Sequence, residues 1–425
     1  MQSKIVKAGT GEKLQYLVHE YNDNTLRFVV HYPGIIDINA LQEAAKTLVF
    51  SVDILHASFS SGTFSSQWKV NETLCVKDYF QHIKTTDDHM TECVKKHAVQ
   101  PIKPDSAAQI KCSLIQNQKE SIVVLNISHL CADGSDGKYL LQKLTEAYRL
   151  FRQSGTCDGL LIKNGRRDAE QVYDQLSRKE IRSLMKNPTT GIHSPFPYPT
   201  TGEGFPDAVF CIIPAVQMQK SRQKAKKIGA TANDLLLAGV YRAYAALPNV
   251  ERSAPISLMS MMDLRRHCKN GDSEGLSNLS GALPTVLMNG VSGTFEETIL
   301  EIVKETSEIK ARPLAGLDGM PLLYGAMRIL PMPLLQRISK KVYGSMCIGL
   351  TNLGNINCNA LVLDDLKPDW GWFGGPLKKK PSMQISAVSF DGACALAVVG
   401  QYTTEDAEAL QAFLNKAVEE ITSYV

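Results

Sequence analysis

The chain has 425 residues, of which 44% are hydrophobic, and carries a formal net charge of +3 with a pI near 8.2. This length exceeds what one hydrophobic core usually organises, so it predicts two lobes of roughly two hundred residues each. The charge is too mild to indicate a nucleic-acid partner.

The ten cysteines are scattered without a Cys-x-x-Cys pair or a metal-like His/Cys spacing, which predicts reduced thiols. The first residues lack an apolar signal core, and no stretch approaches the roughly eighteen apolar residues of a membrane span. These features predict a cytoplasmic protein without a membrane span. We expect no metal site.

The first unit of the chain is a predicted strand, 26–32, followed by a Pro-Gly turn and a helix that Asp37 is placed to cap. One face of that helix is apolar, formed by Leu41, Ala44, Ala45, Leu48 and Val49. Two further strands, 109–116 and 121–127, are joined by a polar turn and are predicted to pair. A strand–helix unit and a hairpin thus open the first lobe.

His129 lies at the end of the second hairpin strand, and Asp133 and Gly134 follow in a tight turn before an amphipathic helix. Histidine titrates near neutral pH, so at a strand end it can accept a proton from a hydroxyl or amine and return it to a leaving group. The alternative is a core histidine beside a turn in which Asp133 merely caps the helix.

A second helix is predicted over 168–186, and a Pro/Gly/Thr-rich run follows it as the best boundary in the sequence. We therefore predict an N-terminal lobe over 1–165, a linker over 166–205 and a C-terminal lobe over 206–425.

The C-terminal half begins with a predicted strand, 208–213, and a basic segment, 216–228. Its charges include Lys224, Lys226 and Lys227. They form either a solvated helix face or a cationic surface for the phosphates of a donor. Next, Thr231 and Asp234 have the spacing of a capping box, which favours helix capping over chemistry for Asn233 and Asp234.

The rest of the chain is predicted to alternate strands and helices. A strand over 256–261 leads into Asp263-Leu264-Arg265, and a second capping box, Thr294 to Glu297, precedes a helix. The remaining predicted elements are strands at 283–288, 384–390 and 393–401 and helices at 295–310 and 405–421.

Several of these motifs resemble one family. His129-Leu-Cys-Ala-Asp133-Gly134 resembles the active-site motif of the superfamily of condensation domains and chloramphenicol-acetyltransferase-like acyltransferases. The Thr-Ala-Asn-Asp helix start at 231–234 and the strand closing in Asp-Leu-Arg resemble motifs of its second lobe. DWGWFGGP (369–376) partly resembles the Asp-Phe-Gly-Trp-Gly sequence of related plant acyltransferases, with Phe373 in place of a glycine, and we assign it to structure.

The resemblance implies an α/β fold of two lobes, each a mixed sheet with flanking helices, with an active-site tunnel at the lobe interface. It implies that His129 is the general base and that Arg265 pairs with Asp133 beside Gly134. Thr351-Asn352-Leu353-Gly354 resembles a polar turn that the family places near the reaction centre, although an ordinary turn is equally compatible. Ser128, Thr351 and Asn352 are thus candidates for contacts with the substrate or the oxyanion.

Many condensation domains carry two adjacent histidines, whereas Ser128 precedes His129 here, as in stand-alone acyltransferases that use coenzyme A thioesters. The sequence therefore predicts acyl transfer from a coenzyme A or phosphopantetheine thioester, as co-substrate, to a small alcohol or amine. An acyl carrier protein is a candidate partner. A covalent intermediate on Ser128 or Cys131 is a less favoured route. The alternative function is a non-catalytic module that binds a carrier protein or peptide.

Overall fold

A computed structural model describes residues 4–185, 191–291, 293–343 and 348–425. The strands are β1 Ile5–Lys7, β2 Thr25–Tyr32, β3 Ala57–Ser61, β4 Ser66–Val70, β5 Phe80–Lys84, β6 Ile110–Gln116, β7 Ser121–Ser128, β8 Phe205–Ile213, β9 Ile256–Asp263, β10 Ser280–Leu287, β11 Ile348–Ile356, β12 Trp370–Gly374, β13 Gln384–Phe390 and β14 Ala393–Tyr402. The α-helices are α1 Thr10–Val18, α2 Ile38–Phe50, α3 Val76–Tyr79, α4 Met90–Ala98, α5 Gly134–Ser154, α6 Arg178–Leu184, α7 Ala215–Lys227, α8 Ala232–Ala245, α9 Phe295–Ala311, α10 Met320–Ile329, α11 Met332–Tyr343 and α12 Thr404–Ser423.

The first large sheet has five strands in the order β12-β2-β7-β6-β5. Its two central strands, β2 and β7, are buried along their whole length, which explains their runs of β-branched and aromatic residues. Only the pairing of β5 with β6 is parallel, so the sheet is mixed. The apolar faces of α2 and α5 pack on it in one large core.

The second large sheet has six strands in the order β10-β9-β11-β13-β14-β8 and combines parallel and antiparallel pairs. Residues of α8, α9 and α12 pack against it in a separate core. The predicted class, two mixed sheets each with flanking helices, is confirmed. The tunnel and the lobe boundaries stay predictions.

One strand crosses between the two halves of the chain. β12 lies late in the sequence, yet it pairs antiparallel with β2 and completes the edge of the first sheet. It is the DWGWFGGP segment, and Trp372 and Phe373 are buried in the first core. A strand that the sequence assigns to the C-terminal lobe thus belongs to the N-terminal sheet. A small third sheet, β1-β4-β3, was not predicted.

Local capping signals account for several helix starts. The Asp37 carboxylate accepts a hydrogen bond from the amide of Ala40 at 2.8 Å, and Thr231 and Asp234 form the predicted capping box. The prediction of one helix over 168–186 is wrong. The segment instead contains a short 3₁₀ helix, Ala169–Tyr173, and the separate helix α6. Ser177 caps α6 and forms a capping box with Glu180. Residue 186 lies outside the described residues.

The structure also bears on two compositional predictions. The nine cysteines within the described residues are all free. Within the same residues, no helix has the length and apolarity needed to cross a lipid bilayer.

Candidate active site

His129 is held at the carboxyl end of β7, a central strand paired on both sides. Its amide donates a hydrogen bond to the carbonyl of Asn24 at 2.7 Å, and its own carbonyl accepts one from the Asn278 side chain at 2.5 Å. Main-chain contacts therefore fix the position of the residue. Its side chain keeps part of its surface accessible.

The ring of His129 has a defined tautomer. Nδ1 lies 3.0 Å from the carbonyl oxygen of Ala132, and because a carbonyl only accepts, Nδ1 must carry the proton. Nε2 is then the basic nitrogen, and the described residues provide it with no hydrogen-bond partner. Burial lowers the pKa of His129, although the negative charge of Asp133 acts in the opposite direction. The imidazole is thus neutral near pH 7, as a general base requires.

Asp133 has a structural environment. Its carboxylate accepts hydrogen bonds from the amides of Asp136 at 3.1 Å and Leu279 at 2.9 Å, and Arg265 Nη1 lies 2.7 Å from Oδ2. Burial alone would raise the pKa of the carboxyl, but the charge of Arg265 and these hydrogen bonds hold it below its ordinary value. The predicted Asp133–Arg265 pair is present, and Asp133 caps α5.

Asp136 is a second buried carboxylate that the sequence analysis missed. Arg265 Nη2 lies 2.9 Å and Lys163 Nζ 2.7 Å from its oxygens, and the amide of Ser277 donates to it at 2.6 Å. Burial, together with the negative charge of Asp133, raises the pKa of Asp136 to about 6. The sequence feature that could have indicated Asp136 is its position in the first turn of a helix that a second aspartate, Asp133, caps.

These contacts join the two halves of the chain at the turn after His129. The segment 275–279 and Arg265 come from the C-terminal half, whereas Asp133 and Asp136 come from the N-terminal half. Ser135 adds a hydrogen bond to Asp263 at 2.6 Å. The segment 275–279 was predicted only to introduce a strand, so its contact with His129 was missed.

Gly134 lies against Leu353. A Cβ atom at Gly134 would stand 2.5 Å from Leu353 Cδ2, so glycine allows this close approach. The prediction that 351–354 forms a polar turn is wrong, because these residues lie within β11, whose pairing with β13 is irregular between Asn352 and Asn355. Such an irregularity inserts one extra residue into a strand and changes the direction of the neighbouring side chains, and residues typical of turns can occupy it.

The three small polar candidates occupy different surroundings. Ser128 is fully buried in β7, where its amide donates to the Gln109 carbonyl at 2.8 Å. Asn352 Oδ1 accepts from the amide of Gly354 at 2.9 Å, and Thr351 pairs with Ser386 in the sheet. No hydrogen bond within the described residues joins these side chains to the ring of His129.

Cys131 has the wrong environment for a nucleophile. It is completely buried, and its Sγ lies 3.1 Å from the carbonyl of Ser128. Burial raises the pKa of the thiol to about 12. The reactive thiolate is therefore scarce near neutral pH, which argues against a covalent intermediate on this residue.

Lys378 was also missed. Its backbone pairs with Asn22, just before β2, on one side and with Gly400 of β14 on the other. Burial lowers the pKa of its ammonium to about 8, with Asp23 opposing the change, and its charge contributes to the low pKa of His129. The segment 22–24 connects the two residues, because Asn22 pairs with Lys378 and the Asn24 carbonyl accepts from the His129 amide. This proximity arises from the fold and has no local sequence signal.

The basic segment forms α7, which packs against α12 rather than the His129 turn. Lys224 Nζ lies 3.3 Å from the Val425 carbonyl and 4.4 Å from the centre of the Tyr424 ring. Lys224 and Lys227, with Lys220, line a cavity of about 590 Å³, whereas Lys226 is exposed outside that lining. Two of the three lysines predicted to contact donor phosphates, Lys224 and Lys227, therefore line the same cavity.

Comparison with known proteins yields a fold and no close relative. No family model matches the chain, and no curated protein matches it. Among solved structures, the TRI3 trichothecene 15-O-acetyltransferase of Fusarium sporotrichioides is similar with a TM-score of 0.72 and 13% identity, over 100% of this chain and 95% of that one. Polyketide synthase associated protein 5 of Mycobacterium tuberculosis is similar with a TM-score of 0.68 and 15% identity, over 98% of this chain and 97% of that one.

The first condensation domain of the CDA synthetase is similar over 99% of this chain and 97% of its own, with a TM-score of 0.68 and 13% identity. At these identities the likeness concerns the fold. The chain therefore shares the fold of these acetyltransferase and condensation-domain structures, which is the fold that the motifs predicted.

Proposed function

We propose that this protein is an acyltransferase that moves an acyl group from a thioester to an alcohol or amine, with His129 as the general base. The observation that carries the proposal is the hydrogen bond from His129 Nδ1 to the Ala132 carbonyl. It leaves Nε2 as a free base on a residue that is partly exposed, held at the end of a rigid strand.

In the proposed reaction, Nε2 accepts the proton of the acceptor hydroxyl or amine as the oxygen or nitrogen attacks the thioester carbonyl carbon. The carbonyl oxygen becomes an oxyanion, for which the backbone N–H groups of the Gly134 turn, or the side chains of Thr351 and Asn352, are the candidate donors; Ser128, fully buried in β7, is less accessible to it. Collapse breaks the C–S bond, and the imidazolium returns the proton to the thiolate. The ester or amide and the free thiol are the products.

Asp133 takes no proton in this mechanism. Its low pKa and its bond to Arg265 keep it ionised, so it positions the turn that carries Gly134. Lys378 supports the neutral state of His129, since a nearby cation disfavours protonation of the imidazole.

Similarity to an acetyltransferase and to a condensation domain supports acyl transfer as the reaction class. The donor in our proposal is a coenzyme A or carrier-bound phosphopantetheine thioester, and Lys224 and Lys227 are candidates for contacts with its phosphates. An acyl carrier protein is the corresponding candidate partner.

The test is thiol release from acetyl coenzyme A, followed with a thiol reagent, in the presence of a panel of alcohols and amines. We expect acceptor-dependent release by the wild-type protein and its loss in His129→Ala. If neither coenzyme A thioesters nor acyl-loaded carrier proteins give acceptor-dependent release, the proposal fails, and binding of the loaded carrier without turnover would instead support the non-catalytic module.

A further inference from the structure

Helices α10 and α11 follow one another, with Leu330 and Pro331 between them, and one face of each packs on α1. Met327 of α10 and Met332 and Leu335 of α11 are buried in a small core with Leu17. The amide of Met332 also donates to the Thr63 carbonyl at 2.7 Å, which joins the start of α11 to the β3–β4 loop. These contacts account for the inner faces of both helices.

The opposite faces expose large aliphatic side chains. The exposed fractions are 58% for Leu322, 75% for Ile329, 41% for Leu334 and 47% for Ile338. Their spacings of seven residues in α10 and four in α11 place each pair on one side of its helix. Phe64, next to Thr63 in the β3–β4 loop, is 69% exposed beside the start of α11. We call Phe64, Leu322, Ile329, Leu334 and Ile338 the outer apolar face.

The charged residues of the stretch 319–343 all carry one sign. Residues 319–343 contain no aspartate or glutamate, although 43 of the 425 residues of the chain are acidic. The same stretch contains Arg328, Arg337, Lys340 and Lys341, of which Arg328 pairs with Glu170 at 2.8 Å. Arg337 and Lys340 are exposed on α11, so cationic groups lie among the exposed aliphatic ones.

We propose that the outer apolar face binds an anionic lipid surface, on which α10 and α11 lie in the plane of the interface. Aliphatic side chains that enter the acyl boundary, together with Lys and Arg at the level of anionic headgroups, are the features of interfacial helices. Since no described helix can span a bilayer, this contact is peripheral. The proposal stands independently of the acyltransferase reaction.

Charge and composition argue against the other occupants. A symmetric contact with a second copy would bring Arg337 and Lys340 of each chain together without a carboxylate from this stretch to oppose them. Four of the five side chains of the outer apolar face are aliphatic, whereas protein interfaces usually surround their anchors with hydrogen-bonding partners. A lipid surface needs no hydrogen-bonding partner for Leu or Ile.

The test is sedimentation of the full chain with sucrose-loaded vesicles of phosphatidylcholine alone or with about one third phosphatidylglycerol. We expect binding to the anionic vesicles that weakens as salt rises. Leu322→Glu/Ile329→Glu should reduce the bound fraction about tenfold or more, and Arg337→Glu/Lys340→Glu should abolish the preference for phosphatidylglycerol. Leu161→Glu is the matched control, because Leu161 is 78% exposed elsewhere on the chain and should leave binding unchanged.

All four replaced side chains of the α10–α11 variants are exposed, so their thermal unfolding should match that of the wild type. A measurement of mass in solution then shows whether the face instead joins two copies of the chain. Absence of wild-type binding to anionic vesicles would overturn the proposal. Equal binding by the Leu322/Ile329 variant and the Leu161 control would also overturn it, as would a dimer that the Ile329→Glu substitution dissociates.

Discussion

Arg265 and Asp133 form a buried ion pair, 2.7 Å long, between a 3₁₀ turn of the C-terminal half and the residue that caps the helix after His129. The same guanidinium reaches Asp136 at 2.9 Å, so one cation holds two carboxylates. The position of the catalytic turn in our proposal thus depends on a contact between the two halves of the chain.

We expect Asp133→Asn and Arg265→Ala each to destabilise the protein, by about 3–5 kcal/mol for the arginine, because removal of one partner leaves a buried charge unpaired. Both should also lower turnover. The double variant should lose less than the sum of the two, as measured by urea unfolding in a double-mutant cycle. Since Arg265 also contacts Asp136, part of its loss remains in the double variant. Additivity within about 0.5 kcal/mol would contradict a coupled pair.

His129→Ala should lower kcat by about a hundred-fold to ten-thousand-fold while donor binding persists, if His129 is the general base. Because the residue is partly exposed, we expect the free energy of unfolding to change little. Because burial lowers the pKa of His129, the acid limb of the kcat/KM profile should lie below the ordinary histidine value of about 6.5. Thermal unfolding and thioester turnover on one sample separate the alternatives. A variant destabilised by about 1 kcal/mol or more that retains turnover would identify a core histidine instead.

Asp136 should make stability depend on pH. Its folded-state pKa is raised to about 6, so the folded state holds this proton more tightly than the unfolded chain does. Its contribution is therefore most favourable below about pH 4, the unfolded value, and is lost as the pH rises through 6. The free energy of unfolding of Asp136→Asn, relative to that of the wild type, should therefore rise by on the order of 1–3 kcal/mol as the pH increases from about 4 to about 6. Urea unfolding of both proteins across this range is the measurement, and a pH-independent difference would contradict the assignment.

Gly137 and Gly325 give a matched pair of helix glycines. A Cβ at Gly137 would stand 2.5 Å from Phe28 Cε2 and 2.8 Å from Cζ, and that ring contacts Phe373, so Gly137→Ala should destabilise by about 1–3 kcal/mol. Gly325 in α10 has no neighbour within 4 Å of the added carbon, so Gly325→Ala should stabilise by about 0.5–1 kcal/mol through helix propensity. Thermal unfolding tests both, and equal shifts of the same sign would refute the packing argument.

Lys224→Ala/Lys227→Ala should raise the donor KM several-fold with kcat little changed, if these residues bind donor phosphates. Lys226→Ala serves as the control, because Lys226 lies outside the cavity lining. The effect should shrink at high salt. A KM that is unchanged and insensitive to salt would leave these lysines as a solvated helix face.

The sequence predicted the features that local patterns encode. Asp37 and Thr231 cap helices because capping depends on neighbours three residues away, and β2 and β7 follow from β-branched runs. The site was recognised where a motif is contiguous, as in His129 to Gly134. Lys163, Asn278 and Lys378 were missed because nothing in their local sequence indicates what the fold places beside them. The turn predicted at 351–354 failed for a related reason: tertiary pairing with β13 overrides the turn preference of Asn and Gly.

Strand β12 sets an order for biosynthesis. Because β2 pairs with β7 on one side and with residues 370–374 on the other, the first sheet has an incomplete edge until most of the chain has been translated. During that interval β2, a strand with no exposed residue in the finished protein, presents unpaired amides and carbonyls on one side. A fragment that ends before residue 370 keeps that open edge permanently, and such edges template pairing between chains. The last quarter of the sequence therefore protects the first quarter from aggregation.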